Sequence, residues 1–273
     1  MSEVVDGARE RNRAVWASGD WDEVAPYIAV AGPRLLDRIG GVGADVRLLD
    51  VGTGSGGSVA IPAAQRGAEV VGADVTDAWF PAARRRAEEA GVDVEWVVAD
   101  AVELPFEDGS FDVVTSTFGH MFAPDQHAAA RELVRVCRPG GTVGLCCWTA
   151  EGHSGGLFAS IGALMPPPPE GFRPPLLWGS EPHVRELLQP LGVTLDMRRA
   201  TLPIAFASAE AQAAHYEAYF GPMVTAKAAI GEERWPVARD GILAFLAEIN
   251  EREDGTMAAE YEYLETIGRR GAP

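Results

Sequence analysis

Apolar and polar positions change their period several times along the chain, and the changes mark its elements. Between residues 45 and 148, short β-branched runs at 46–51, 69–73, 94–98, 111–116 and 141–148 alternate with helical period at 57–65, 78–90 and 128–136. Strands separated by helices predict right-handed βαβ units and hence a parallel sheet. The runs VRLLDV and GTVGLCCW are apolar almost throughout, the pattern of strands covered on both faces. Ahead of this core, residues 9–37 have helical period and carry Trp16, Trp21 and Tyr27. Beyond it prolines gather at 166–169, 174, 175 and 182, which excludes a regular helix and predicts a rigid loop or rim. Helical period resumes at 181–188, 207–220 and 232–251, with strands expected at 193–199 and 255–268.

The sharpest local feature is LLDVGTGSGG at 48–57. A predicted strand ends at Asp50 and Val51, and the glycines that follow let the backbone turn and approach a ligand closely. The next helix presents free N–H groups and a positive dipole end to the same space. Gly52, Gly54 and Gly57 also satisfy G-x-G-x-x-G, so the loop alone leaves a dinucleotide and an adenosyl group both open. Two acids narrow the choice. Asp74 ends the second strand, where a carboxylate accepts both hydroxyls of a ribose. Asp100 ends the third, where a carboxylate accepts from an adenine amino group, and LPF followed four residues later by FDVV completes the pattern. A nicotinamide enzyme needs no acid at that third position.

These pieces carry a resemblance. LLDVGTGSG, VVGADVT, VVADAVELPFEDGSFDVVTS and RELVRVCRPGG are similar to class I S-adenosylmethionine-dependent methyltransferases of the ubiquinone/menaquinone C-methyltransferase-like group. The likeness is strong over residues 15–150 and looser through WGSEPHVRELL and YEYLETIGRR. It implies a Rossmann-like α/β fold, with a mostly parallel seven-stranded sheet, helices on both faces and a helical lid and cap. One domain is expected in four parts: a lid at 1–44, a cofactor-binding core at 45–150, a Pro-rich rim and helical cap at 151–254, and a last strand and tail at 255–273. The implied cofactor is S-adenosylmethionine, leaving as S-adenosylhomocysteine. Gly52, Thr53 and Gly54 would approach its methionine part, with Asp50 orienting the amino group. Asp74 would take the ribose, Val75 and Trp79 would flank the adenine, and Asp100 with Ala101 would meet its amino edge. Thr117 would lie beneath the sulfonium, and Tyr27 in the lid would touch the carboxylate. Three alternatives remain: a chain of this fold that binds the cofactor but catalyses a cyclisation, an NAD(P)-dependent oxidoreductase, and a binding or regulatory protein with no turnover. The lack of a Tyr-x-x-x-Lys pair speaks against the second.

Methyl transfer from a sulfonium is a displacement on carbon, so the protein must align the nucleophile and exclude water. A general base helps when the acceptor carries a proton. His120, in TSTFGHMF after the fourth strand, is the candidate base; His153 and His215 stand behind it, while His127 and His183 read as surface positions. Trp21, Phe118, Met121, Phe122, His153 and Tyr216 are the candidate substrate contacts. An acceptor pocket is expected between the lid, the 118–122 loop and the cap, whose aromatics include Trp148, Phe158, Phe172, Trp178, Tyr219 and Phe220. That content points to a small apolar or aromatic acceptor, and leaves oxygen, nitrogen and carbon equally open as the methylated atom.

The bulk numbers remove other classes. A net charge of −17 over 273 residues repels polyanions, so neither nucleic acid nor an anionic membrane is an expected partner. Arg84, Arg85 and Arg86 form a basic spot on a helical pattern and read as a solvated face. Cys137, Cys146 and Cys147 show neither C-x-x-C spacing nor a metal-ligand set, and read as buried filler. With no secretory pattern at the amino terminus, a cytoplasmic monomer or homodimer is expected.

Overall fold

The computed structural model describes residues 2–162 and 172–272; the expected loop at 166–169 lies outside them. Seven strands form one sheet: β1 (Arg47–Val51), β2 (Glu69–Asp74), β3 (Glu95–Val98), β4 (Phe111–Thr117), β5 (Cys137–Trp148), β6 (Val193–Phe206) and β7 (Met257–Arg270). Their order is β3-β2-β1-β4-β5-β7-β6. The first five are parallel, and β7 runs antiparallel between β5 and β6. This is the mostly parallel, seven-stranded sheet expected. Sequence order reverses between β1 and β4, and open α/β sheets bind ligands in the crevice at such a switch point.

The helices are α1 (Ser2–Ala17), α2 (Trp21–Val24), α3 (Ala31–Ile39), α4 (Ala60–Gln65), α5 (Phe80–Ala90), α6 (Gln126–Val136), α7 (His153–Gly162), α8 (Glu181–Leu188), α9 (Ala209–Tyr219), α10 (Gly221–Ile230) and α11 (Trp235–Ile249). Helices α3, α4 and α5 pack as one layer, and α6 packs with α8 as another. The cap is made of α7, α9, α10 and α11, and α1 leans on α10. Among the described residues no helix is long and apolar enough to cross a membrane.

Several elements differ from expectation, each for a local reason. The single helical stretch at 9–37 is three helices, broken at Gly19, whose φ is +74°, and at Pro26. The span 207–220 continues into a separate helix, α10, restarted by Pro222 in its first turn. The helix α7 was hidden by Gly155 and Gly156, poor helix formers that let neighbouring groups approach closely. Strand β6 is twice its expected length because, at the sheet edge, it alternates buried and exposed positions and tolerates Pro203.

Candidate active site

At the end of β1 the chain turns at Gly52, whose φ is +70°. The Gly52 and Thr53 amides both donate to the Ala73 carbonyl, at 2.8 and 3.0 Å, which ties the turn to the end of β2. A Cβ on Gly52 would lie 2.7 Å from the Cα of Gly119, so the loops after β1 and β4 pass in backbone contact. A Cβ on Gly54 would lie 2.6 Å from the indole nitrogen of Trp21, so α2 rests its tryptophan directly on the glycine loop.

Over this junction opens a cleft that, counted with the solvent space at its mouth, spans about 640 Å³. Gly52 and Gly54 line it from β1, Asp74 and Val75 from β2, and Ala99, Asp100 and Ala101 from β3. Thr117, Phe118, Gly119 and His120 follow from β4, and the lid contributes Asn12, Trp16 and Trp21, facing Trp79. Trp79 Nε1 donates to the Trp16 carbonyl at 2.9 Å, and Arg9 Nε donates to Asp100 Oδ2 at 2.7 Å. These two bonds strap α1 across the cleft.

Three carboxylates lie at or beneath the cleft in different surroundings. Asp74 accepts from the Gly54 amide at 2.9 Å and the Thr76 amide at 3.2 Å; burial outweighs those bonds and raises its pKa to about 6. Asp50 is buried beneath the loop, accepting from the hydroxyls of Thr53 at 2.8 Å and Thr115 at 3.0 Å, and desolvation raises it to about 7. Asp100 keeps the Arg9 guanidinium as its counter-charge.

His120 is 1% exposed, and burial drops its pKa to about 3, so the ring is neutral. Its Nε2 lies 3.5 Å from Cys147 Sγ, a thiol that burial keeps protonated. Its Nδ1 is buried without a partner, and Trp178 packs edge-on against the ring. Just before it, Phe118 holds φ at +61°, the one non-glycine positive φ among the described residues. A bulky residue there is strained by about 1–3 kcal/mol, and such strain gathers at ligand sites. The Phe118 ring stacks on Trp148, with centroids 4.0 Å apart and planes 14° from parallel.

Behind that stack lies a second, partly open cavity. Trp21 walls both spaces. The second is otherwise lined by lid residues including Tyr27 and Ile28, by Trp148, by Leu157 and Phe158 of α7, and by Tyr216, Phe220 and Tyr261.

The structure thus brings Gly52, Gly54, Asp74, Val75, Trp79, Asp100, Ala101, Thr117, Trp21, Phe118 and His120 to one cleft. Others stand apart from it. Tyr27 stacks on Phe206 at 4.5 Å and faces the second cavity with Tyr216, rather than the cofactor space. Asp50 and Thr53 bond to each other under the loop. Met121 is fully buried core, and Phe122 packs between Trp16 and Phe158. His153 lines neither cavity; its ring meets Tyr261 edge-on. Phe172 is exposed, Trp178 is core, and His183 is no surface residue, being buried with Nε2 2.7 Å from Gln126 Oε1. Arg9, Asn12 and Gly119 went unread. Arg9 and Asn12 sit on a helix whose polar face gives no sign of what it covers, and Gly119 carried no motif.

Comparison with known proteins agrees with this geometry. Residues 49–145 match the family described as a methyltransferase domain, a span holding the glycine loop, Asp74 and Asp100 together. An uncharacterised protein of Mycobacterium tuberculosis is 41% identical over 93% of this chain and 92% of its own length. A demethylmenaquinone methyltransferase of Clavibacter sepedonicus is 45% identical over 100 residues, 37% of this chain and 40% of that one. Among solved structures, a putative methyltransferase from Bacillus halodurans superposes with a TM-score of 0.62 at 21% identity, covering 88% of this chain and 98% of that one. At that identity the likeness speaks to the fold.

Proposed function

The chain belongs to the S-adenosylmethionine-dependent methyltransferases, and from that premise we propose that it methylates a small apolar or aromatic molecule held in the second cavity. The observation that carries this reading is the shared partition. Trp21 walls both the cleft and the cavity, and the stacked Phe118 and Trp148 line one space each. The two spaces therefore adjoin across aromatic rings, and a nucleophile held in the cavity would meet the methyl group where those rings leave or open a gap.

The cleft suits the cofactor. Asp74 and Asp100 offer carboxylate oxygens, the glycine turn brings backbone close, and the Ser55 hydroxyl beside it is buried without a partner. In this reading Asp74 binds the ribose hydroxyls and Asp100 the adenine amino group, while Val75, Trp79 and Ala101 flank the base. Gly52 and Gly54 receive the methionine part, oriented from below by Asp50 through Thr53. When bound, S-adenosylmethionine supplies an electrophilic methyl group on a positive sulfonium. Thr117 and Phe118 end β4 beside that position. His120 is the proposed catalytic residue: it lines the cleft, and its neutral ring keeps a buried Nδ1 without a protein partner that would serve the acceptor's nucleophilic atom once that atom reaches the cleft. Burial leaves it a weak base, so its part is to orient that atom more than to store its proton.

The test is release of S-adenosylhomocysteine from S-adenosylmethionine across a panel of small phenols, naphthols and ring ketones. Turnover should appear with a member of the panel and fall sharply in Leu157→Trp, which obstructs the second cavity, with cofactor affinity kept within twofold. Undiminished turnover in that variant would move the acceptor elsewhere. Tight cofactor binding with an altered acceptor and no S-adenosylhomocysteine would favour the cyclisation alternative.

A further inference from the structure

Tyr27, expected at the cofactor's carboxylate, stacks on Phe206 and faces the second cavity, and the glycine turn supplies no substitute. Gly52 and Gly54 line the cleft, but both amides are already spent, on the Ala73 carbonyl at 2.8 Å and on Asp74 Oδ2 at 2.9 Å. The Thr53 and Gly56 amides are spent as well, on the carbonyls of Ala73 and Thr53. Among the described residues no Lys or Arg side chain lines the cleft. A carboxylate taken out of water needs hydrogen-bond donors, so a neutral side chain must provide one here.

Trp21 stands at that end of the cleft with a donor to spare. Trp16 Nε1 donates to Asn12 Oδ1 at 3.2 Å and Trp79 Nε1 to the Trp16 carbonyl at 2.9 Å, whereas Trp21 Nε1 has no acceptor among the described residues. The three atoms nearest to a Cβ placed on Gly54 all belong to the pyrrole ring of Trp21: Nε1 at 2.6 Å, Cδ1 at 2.7 Å and Cε2 at 3.7 Å. The indole thus turns its N–H edge to the glycine turn. Other donors in the lining stand elsewhere. Asn12 is one helical turn from Arg9, which pairs with Asp100, and the Thr117 hydroxyl and Gly119 amide follow from β4. Both flanks of Trp21 are pinned. The Asp20 amide donates to the Tyr219 carbonyl at 2.9 Å, and the Asp20 carboxylate caps α2 by accepting from the Asp22 amide at 3.0 Å. The Asp22 carboxylate in turn meets Arg86 at 2.7 Å and Arg85 at 3.4 Å. The basic spot on α5 therefore holds the segment that presents Trp21, and a donor fixed in advance loses little freedom when it binds.

We propose that Trp21 is a cofactor-binding residue whose indole N–H donates to the carboxylate of the methionine part. This rests on the reading that Gly52 and Gly54 receive that part. An indole N–H donates and never accepts, so it takes the carboxylate and leaves the amino group to the bonded pair of Asp50 and Thr53 beneath the turn. The amino-acid tail is neutral as a whole, which suits a cleft end without a cationic side chain.

Isothermal titration of the full chain with two probes tests this without turnover. One is S-adenosylhomocysteine; the other is its decarboxylated analogue, which keeps the amino group and lacks only the carboxylate. The wild type should bind the first about tenfold more tightly, as one hydrogen bond to a charged group would give. Trp21→Phe keeps an aromatic ring beside Gly54 and removes the N–H. Its affinity for S-adenosylhomocysteine should fall about tenfold, to that of the analogue, whose own affinity should barely move. Equal losses for both probes would make Trp21 a packing residue and refute the assignment, as would a preference that survives in Trp21→Phe. A wild type that binds both probes equally refutes it too while leaving the cofactor cleft standing, and that comparison needs no variant to fold. If the wild type binds neither probe, the reading of the cleft itself falls.

Discussion

The close passage of Gly52 and Gly119 gives a perturbation whose size follows from the coordinates. Gly119 has φ −92° and ψ −62°, which alanine adopts without strain. Its Cβ, however, would lie 2.7 Å from Gly52 Cα, 3.0 Å from Gly52 O and 3.1 Å from Val51 O, all backbone. Ordinary carbon contacts begin near ~3.5 Å, so the loops after β1 and β4 must part by most of an ångström. Overpacking of that kind costs about 1–3 kcal/mol. Gly52→Ala meets the same wall from the other side, 2.7 Å from Gly119 Cα, and adds the penalty of φ +70°, about 1–2 kcal/mol. Gly91→Ala is the control: its φ is +67° but nothing lies within 4 Å of the new methyl, so it carries only the backbone penalty. Urea unfolding followed by circular dichroism should rank the variants Gly52→Ala least stable, with Gly119→Ala and Gly91→Ala both milder. Isothermal titration with S-adenosylmethionine separates the last two. Affinity should fall about tenfold or more in Gly119→Ala, because the displaced loops are the cleft's floor, and stay unchanged in Gly91→Ala. A Gly119→Ala protein within about 0.5 kcal/mol of wild type, binding cofactor normally, would refute the argument that backbone contact between these loops shapes the site.

Three other outcomes are expected. With Asp74 raised to about 6, its carboxylate protonates as pH falls below that value, so cofactor affinity should be flat above pH ~7 and weaken toward tenfold per unit below ~6; titrations of wild type and Asp74→Asn across that range check it, and only the wild type should show the slope. Asp50, raised to about 7, binds its proton more tightly folded than unfolded, so the stability it contributes is full below pH ~4 and lost as pH rises through ~7. Unfolding curves should therefore move in favour of Asp50→Asn relative to wild type between those limits, by up to a few kcal/mol; a constant difference would show that Asp50 is ionised throughout. His120→Phe removes the unpartnered Nδ1 and should lower turnover about 10–100-fold with cofactor affinity intact, while the wild-type pH–rate profile should show no inflection from a histidine near pH 6.5; an inflection there that His120→Phe abolishes would restore it as a titrating base.

Much of the cofactor cleft was readable in the chain because its parts are local. A carboxylate closing a β-branched run, or glycines between a strand and a helix, announce themselves within ten residues, and Asp74, Asp100 and the turn at Gly52 all line the cleft. The lid and cap were not readable in the same way. The helical period at 9–37 could not show that Gly19 would break it, nor that Tyr27 would stack on Phe206 nearly 180 residues away and turn from the cofactor to the second cavity. Likewise His183 looked like a surface residue until α8 packed on α6 and brought it to Gln126.

The sequence by itself determined the alternating strands and helices, the glycine turn and the acids at successive strand ends, because periodicity and backbone preference act between near neighbours. Tertiary structure alone decided which groups lost water: that His120 is neutral, that Arg9 reaches Asp100 across 91 residues, and that Gln212 gathers Tyr216 and Tyr261 at one cavity wall. Burial and long-range pairing depend on how the whole chain closes, and no window of sequence contains that.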